Sequence, residues 1–424
     1  MENVESVYGA SKAVRNSHSK TKKKGKKKGA VIAISSIPLV MTLGNSMLIP
    51  VLPAMEKSLS ITAFQTSMII TVYSIVAIIL IPIAGYISDH IGRKKVIIPS
   101  LIIAAIGGVI SAWAAWKLDN AYWVILIGRS LQGVGAAGAF PIVLPLVADM
   151  FKSEDEVSST LGIIETANTF GKVLSPVLGA FLAGFIWYIP FFSIPILCAV
   201  SILMMMFMVK SPKTDQKPLP FKEFLVNLKT TLGEKGRWLY AIFFIGGILM
   251  FVLFGILFYL SDKFEKEYGI KDIKKGLFLA IPLGALCLSS FLTGKFIKKN
   301  KVMMKWINLG GIVLAAAAIA ALYFSDNLWF MIIMFLLAGI GIGVGLPCLD
   351  ALITEGIEKE ERGTISSIYS SMRFIGVAAG PPVVALLMKK SDNWIFIVLG
   401  GVCILAAIVS LMAIRPGSKK TSKA

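Results

Sequence analysis

Histidine and cysteine are scarce in this chain. Its 424 residues include two histidines and four cysteines. His18 lies in a basic tail and His90 in a short loop, and together they cannot build a metal or catalytic centre. Cys198, Cys287, Cys348 and Cys403 fall in apolar segments without ligand spacing, so neither a disulfide framework nor a metal site is expected. No phosphate-binding loop of the Gly-x-x-x-x-Gly-Lys-Ser/Thr type occurs, which removes nucleotide hydrolysis as an energy source. No cofactor and no enzymatic activity are expected. Charge is also sparse: 16% of residues are Asp, Glu, Lys or Arg, against about 25% in a soluble domain. Acids are the rarer sign, 24 against 43 bases, for a net charge of +19.

Hydrophobic residues fill that space. They make up 56% of the chain, in twelve continuous runs near 30–53, 62–88, 96–116, 121–149, 159–183, 188–209, 237–260, 273–297, 303–324, 327–352, 363–388 and 392–414. A membrane-spanning helix needs about 20 such residues. A β-barrel would alternate apolar and polar positions in short segments, and these runs do not. The first run is too long for a signal-peptide core and lacks a small-residue cleavage site, so it reads as a retained span. With the N-terminus inside, 31 of the 43 Lys and Arg fall on cytoplasmic segments and 9 outside, five of those nine in the single loop at 263–275. That asymmetry follows the positive-inside rule and places both termini in the cytoplasm. The run KKKGKKK at 22–28 is then a topology anchor that also suits anionic lipid, and nucleic acid is not an expected partner.

The longest polar break, 210–236, has six spans on each side and carries a candidate amphipathic surface helix at Phe221–Leu232. It separates an N-terminal half, 30–209, from a C-terminal half, 237–414. Tails at 1–29 and 415–424 complete the chain. A shift of 205 residues aligns ETANTFGKVLSP with SSMRFIGVAAGP, so Gly171 meets Gly376 and Pro176 meets Pro381. Two related halves with a site between them at mid-membrane is a secondary-transporter plan.

Three motifs stand out. The loop GYISDHIGRKK (85–95) has glycines that permit a tight turn, Gly85 and Gly92, beside Asp89 and Arg93, which can form switchable charged contacts. Positive-inside placement alone would explain its basic run but not Gly85, Asp89 and Gly92. The fourth span carries IGRSLQGVGAAGAF (127–140), with Arg129 deep in an apolar helix, where it must face protein or a wet cavity or else snorkel outward. Along the fifth span run Gly162, Gly171, Ser175-Pro176 and Gly179-Ala180.

These segments resemble the signature loop, the fourth-span Arg-x-x-Gln-Gly pattern and the antiporter motif of the major facilitator superfamily, and in particular its twelve-span drug:proton antiporters. Ser175 and Ala180 each stand where that antiporter motif has glycine. The resemblance implies an all-α membrane protein of two pseudo-symmetric six-helix halves working by rocker-switch alternating access. It also implies export rather than import, proton transfer linked to Arg129, and a pairing of Asp149 with the loop motif. Asp89, Arg93 and Asp149 are expected to hold the outward-open state.

Glu165 and Lys172 lie seven residues apart on one helical face, separated by roughly 10 Å of rise. Both can line one cavity, or each can be a satisfied structural charge. Glu165 is the expected proton carrier, with Arg129 biasing it and Asp350 next in line. Asn45, Asn168, Lys172 and Arg373, the last at the repeat position of Asn168, are candidate substrate contacts. The deep cations outnumber the deep acids, so amphipathic anions and zwitterions are credible cargo beside cations. The expectation is a proton-coupled exporter of amphipathic small molecules, multidrug in range, in a bacterial plasma membrane and needing no partner subunit. The alternatives are a dedicated exporter of an anionic metabolite, siderophore or lipid, and a sensor that binds without transporting.

Overall fold

The computed structural model describes residues 27–151, 153–210, 221–297, 300–357 and 362–414. The tail at 1–26, the linker core at 211–220 and the C-terminal tail from 415 lie outside the described residues. The first six helices are α1 (Lys27–Leu59), α2 (Ala63–Ile91), α3 (Arg93–Lys117), α4 (Tyr122–Met150), α5 (Glu154–Ala183) and α6 (Ile189–Met208). The second six are α7 (Phe221–Lys266), α8 (Asp272–Phe296), α9 (Lys301–Ala321), α10 (Leu328–Gly356), α11 (Arg362–Met388) and α12 (Asp392–Ala413).

Among the described residues, eleven helices are long and apolar enough to span a bilayer by composition alone. The twelfth is α5. It is thirty residues long, but it carries Glu154, Asp155, Glu156, Glu165 and Lys172. The helix with the poorest membrane signal is thus the one that holds the candidate charges. Local breaks follow the prolines and one glycine. Pro50 sits in a tight 3-10 turn at Ile49–Val51 of α1, and α4 is interrupted after Ala139, around Pro141. Proline lacks the N–H that a continuous helix requires. Helix α7 begins in the linker at Phe221 and turns at Gly236, whose φ of +32° is a glycine conformation.

The outer surface is apolar, with Ile79, Phe207, Leu288, Phe291 and Ile404 all exposed. Hydrocarbon solvates such a surface, so helix association depends instead on close backbone contact. Small residues supply it in matched places. Gly107 of α3 faces Gly128 of α4, and Gly311 of α9 faces Gly341 of α10. Gly171 and Gly179 of α5 press on α1, as Gly376 and Gly380 of α11 press on α7. Lys94 Nζ donates to the α6 end at Met206 O (3.0 Å) and Val209 O (2.6 Å). Lys305 does the same for α12 at Leu411 O (3.1 Å). Each pair repeats one interaction in both halves.

The halves meet through α2 against α11 and α5 against α8. The bonds between them cluster on the side of the molecule opposite loop 85–95. Ser261 Oγ donates to Ile49 O (2.8 Å), Lys266 pairs with Glu56 (3.1 Å), and Thr71 donates to Ala378 O (2.8 Å). Gly276 of α8 lies against the Pro176 carbonyl and Ala180 of α5. This face is closed.

Opening it requires breaking the Glu56–Lys266 pair, and a partly exposed pair of this kind contributes about 0.2–1 kcal/mol. Glu56→Gln should therefore shift the population away from the closed-face state by up to about fivefold. Spin labels at Lys57 and Lys271 should report the shift as a larger long-distance fraction.

Candidate functional site

Between the halves, at mid-membrane, lies a cavity of about 610 Å³ including the part open to solvent. Helix α1 contributes Met41, Thr42, Asn45 and Ser46, and α5 contributes Asn168 and Lys172. From the second half come Met250 and Phe254 of α7 and Ser370, Arg373, Phe374 and Val377 of α11. All four candidate substrate contacts, Asn45, Asn168, Lys172 and Arg373, are thus on one cavity wall or another.

The α5 charges do not pair with one another. Asn168 stands between them: its amide nitrogen donates to Glu165 Oε1 (3.2 Å), and its oxygen accepts from Thr42 Oγ1 of α1 (2.6 Å). Lys172 is 7% exposed, and its Nζ has no hydrogen-bond partner. The alternative of a satisfied structural charge therefore does not hold for Lys172 in this state. Across the cavity Arg373 pairs loosely with Asp350 of α10 (3.7 Å) and lies over the Tyr369 ring at 5.6 Å. The Asp350 side chain is 38% exposed, enough for water to reach it from the cleft.

Arg129 is fully buried and does not snorkel. Its guanidinium donates to Ile69 O (2.8 Å), Gly44 O (3.2 Å), Gln132 Oε1 (2.5 Å) and Asn45 Oδ1 (2.5 Å), and it stacks 4.6 Å over Tyr73. Every acceptor is neutral, and together they tie α4 to α1 and α2. Asn45 therefore serves two surfaces, accepting from Arg129 behind the wall while lining the cavity in front. Arg129 itself stands behind that wall.

The expected loop at 85–95 is helical except at Gly92, which puts His90 in the last turn of α2. The segment is built around Arg93, which pairs with Asp89, bonds Ser88 Oγ (2.7 Å) and reaches Asp149 Oδ2 of α4 (3.2 Å). All of these partners lie in the first half. Gly92 has φ +99°, which a side chain would strain. At Gly85 a Cβ would meet nothing within 4 Å.

One cluster escaped the sequence reading. At the closed face Lys263 pairs with Asp392 of α12 and with Glu267 (3.0 Å), Tyr259 donates to the same Asp392 (2.8 Å), and Lys275 of α8 pairs with Glu265. Its signal was present as five bases in one outside loop, an excess that the positive-inside rule does not explain.

The antiporter-motif glycines divide by geometry. A Cβ on Gly179 would press into the Met47 carbonyl of α1, whereas one on Gly162 would meet nothing within 4 Å. Gly179→Ala should cost about 1–3 kcal/mol and lower the melting temperature in detergent, while Gly162→Ala should leave it unchanged or raised. Arg129→Lys replaces a forked donor with a point charge that cannot serve four separated acceptors. It should destabilise by about 3 kcal/mol or more, the scale for breaking a buried charged network, in the same thermal assay.

A family model described as Major Facilitator Superfamily matches residues 34–380 and 304–424. The chain is 54% identical over 385 residues to the bacillibactin exporter of Bacillus subtilis (strain 168), covering 91% of this chain and 95% of that one. It is 26% identical over 402 residues to the class G tetracycline resistance protein of Vibrio anguillarum, covering 91% and 96%. In fold it matches a bacterial homologue of the human lysosomal transporter Spinster, in an inward-facing and unoccupied conformation. There the TM-score is 0.75 at 14% identity, over 92% and 97% of the two chains. The chain therefore belongs to the Major Facilitator Superfamily and groups with its drug:proton antiporter family.

Proposed function

We propose that this protein exports an anionic siderophore from the bacterial cytoplasm, driven by protons entering in exchange. The observation that carries the reading is the 54% identity to a bacillibactin exporter over 91% of the chain. The tetracycline resistance relative stands at 26%, so multidrug export, the first expectation from the motifs, is the weaker reading. The charge balance of the cavity agrees with an anionic cargo. Glu165 is hydrogen-bonded by Asn168 and Asp350 is paired with Arg373, while the Lys172 ammonium has no partner.

In this scheme both termini and loop 85–95 face the cytoplasm, and the closed face points outward. Cargo then enters from the cytoplasm while the Glu56–Lys266 side is sealed. Asn45, Asn168, Lys172 and Arg373 contact the cargo. Glu165, bonded to the lining residue Asn168, loads and releases the proton, with Asp350, paired with the lining residue Arg373, as the second carboxylate. Arg129 acts on this site through Asn45 and the α1 backbone. The two halves, 30–209 and 237–414, rock about the α2–α11 and α5–α8 contacts. The Asp89–Arg93–Asp149 cluster, expected to hold the outward-open state, is made within the first half in this state and so braces that half as it moves. One chain contains every part of this cycle, so a monomer suffices.

The test is transport by the purified protein in proteoliposomes under an imposed pH gradient, with iron-free bacillibactin, tetracycline and an amphipathic cation as cargo. Gradient-driven bacillibactin flux at least about tenfold above that of the cation is expected, since a cation would meet an unpaired lysine. Glu165→Gln should abolish the dependence on the gradient while leaving bacillibactin binding in place. Equal flux of all three compounds would restore the multidrug reading. A gradient-dependent Glu165→Gln protein would move the proton site to Asp350.

A further inference from the structure

A second, narrower space of about 280 Å³, including the part open to solvent, adjoins the first on the side of the closed face. Its lining is apolar, from Ile49, Leu253, Leu257 and Leu283 among others, apart from Ser46 and Lys172. Ser46, Lys172 and Phe254 line both cavities. They form the seam between the space open to cargo and the sealed exit side.

Lys172 is the uncompensated group at this seam. Its Nζ is buried and bonds nothing. The charged and titratable groups within electrostatic reach are Arg373, Glu165, Asp350 and Cys287. Arg373 repels it, Asp350 is engaged with Arg373, and Glu165 accepts from Asn168. A buried ammonium without a hydrogen-bonded counter-charge is strongly unfavourable, and an anionic oxygen delivered by cargo would relieve it. Arg373 already has its acid, so the demand for an anion falls on Lys172.

The rings around the seam favour a flat partner. Tyr73 and Phe374 pair with each other at 6.4 Å, and Arg129 lies over Tyr73. Phe254 and Phe140 also line the large cavity, and among the described residues they show no ring contact. Phe254, beside Lys172, offers an unstacked ring where an aryl group can lie offset or edge-on.

We infer that Lys172, with Ser46 and Phe254, is a specificity-determining anchor for an aryl group that bears an acidic oxygen, carboxylate or phenolate. The oxygen meets Nζ with Ser46 alongside, and the ring lies against Phe254. This deepens the export reading and rests on it only for the claim that the bound group is then carried out.

The experiment measures equilibrium binding of 2-naphthoate, neutral 2-naphthamide and 2-naphthylmethylammonium to the purified full-length protein in nanodiscs by calorimetry. The acid should bind at least about tenfold tighter than the amide, because a site with a buried unpaired donor discriminates against an analogue lacking the acceptor. The ammonium should not bind. Lys172→Met should erase the preference for acid over amide, and Lys172→Arg should keep it. Phe254→Leu should weaken acid and amide alike by about threefold to tenfold, the scale of a lost ring contact.

Equal binding of acid and amide by the wild type, or no acid binding at millimolar concentration, overturns the inference without recourse to any variant. So does a well-folded Lys172→Met protein that keeps the preference. Bacillibactin flux in the same preparation separates the two claims. Acid selectivity lost in Lys172→Met, with no flux in the wild type, keeps the anchor and removes the siderophore. Flux and selectivity both intact in Lys172→Met remove the anchor alone.

Discussion

Backbone-to-backbone contact at small residues is the constraint on which the rest of this structure depends. In hydrocarbon, burying a leucine against another helix gains little over leaving it in lipid, so helices associate where their backbones come close. That closeness is visible where Gly179 meets the Met47 carbonyl, where Gly276 meets Pro176, and where Gly376 meets the Gly247 carbonyl. The third is the repeat counterpart of Gly171, which lies against Leu39 and Thr42 of α1. The second joins the halves themselves. A motif that looks like a functional signature in sequence is therefore, at Gly171 and Gly179, a packing surface against α1.

Polar groups add the second layer of order. A charge inside the membrane must be matched or wetted, and the protein meets this requirement differently at each site. Arg129 has no acid at all: two backbone carbonyls, two amide oxygens and an aromatic face satisfy it. A permanent structural charge matched by neutral acceptors cannot lose its counter-ion to titration, so the α1–α2–α4 junction holds over a wide pH range. Arg373 and Asp350 are matched loosely, at 3.7 Å beside the open cleft. Lys172 is not matched. The gradation runs from the buried wall behind the cavity to the residues that line it.

Much of this was legible in the chain. Eleven of the twelve expected spans follow from hydropathy, because the bilayer demands length and apolarity from each helix separately. Four polar residues of the cavity wall were legible too, since Asn45, Asn168, Lys172 and Arg373 are anomalies in apolar surroundings, whereas Glu165, expected there as well, is not part of the wall. Their partners were not legible. The acceptors of Arg129 are carbonyls of Ile69 and Gly44, which carry no residue-type signal and lie far along the chain. Nor does spacing reveal that Asn168 would donate to Glu165 while its oxygen accepts from Thr42 of α1. Gly162 and Gly179 look alike in the motif, and only the neighbouring helix shows that one is pressed and the other free. The Lys263–Lys266 cluster was countable as an excess of charge, but its meaning needs the partners on α1 and α12.

That cluster bears on how such a molecule can change state. Lys263 binds Asp392 and Lys275 binds Glu265 within the second half, whereas Lys266 reaches Glu56 in the first. The charges at the end of α7 therefore do two jobs. One set keeps α7, α8 and α12 together as a body, and a single pair joins that body to its counterpart. The loop at 85–95 has the complementary design, with Arg93, Asp89 and Asp149 all within one half. Each half is thus braced by its own charged contacts, and a partly exposed ion pair joins the two beside the buried Ser261–Ile49 and Thr71–Ala378 hydrogen bonds. Between the halves the seam at Ser46, Lys172 and Phe254 is where a change of state would be felt, because it is walled by α1 and α5 on one side and by α7 on the other. An anion bound there would touch both halves at once, so its binding energy would act directly on the relative position of the halves.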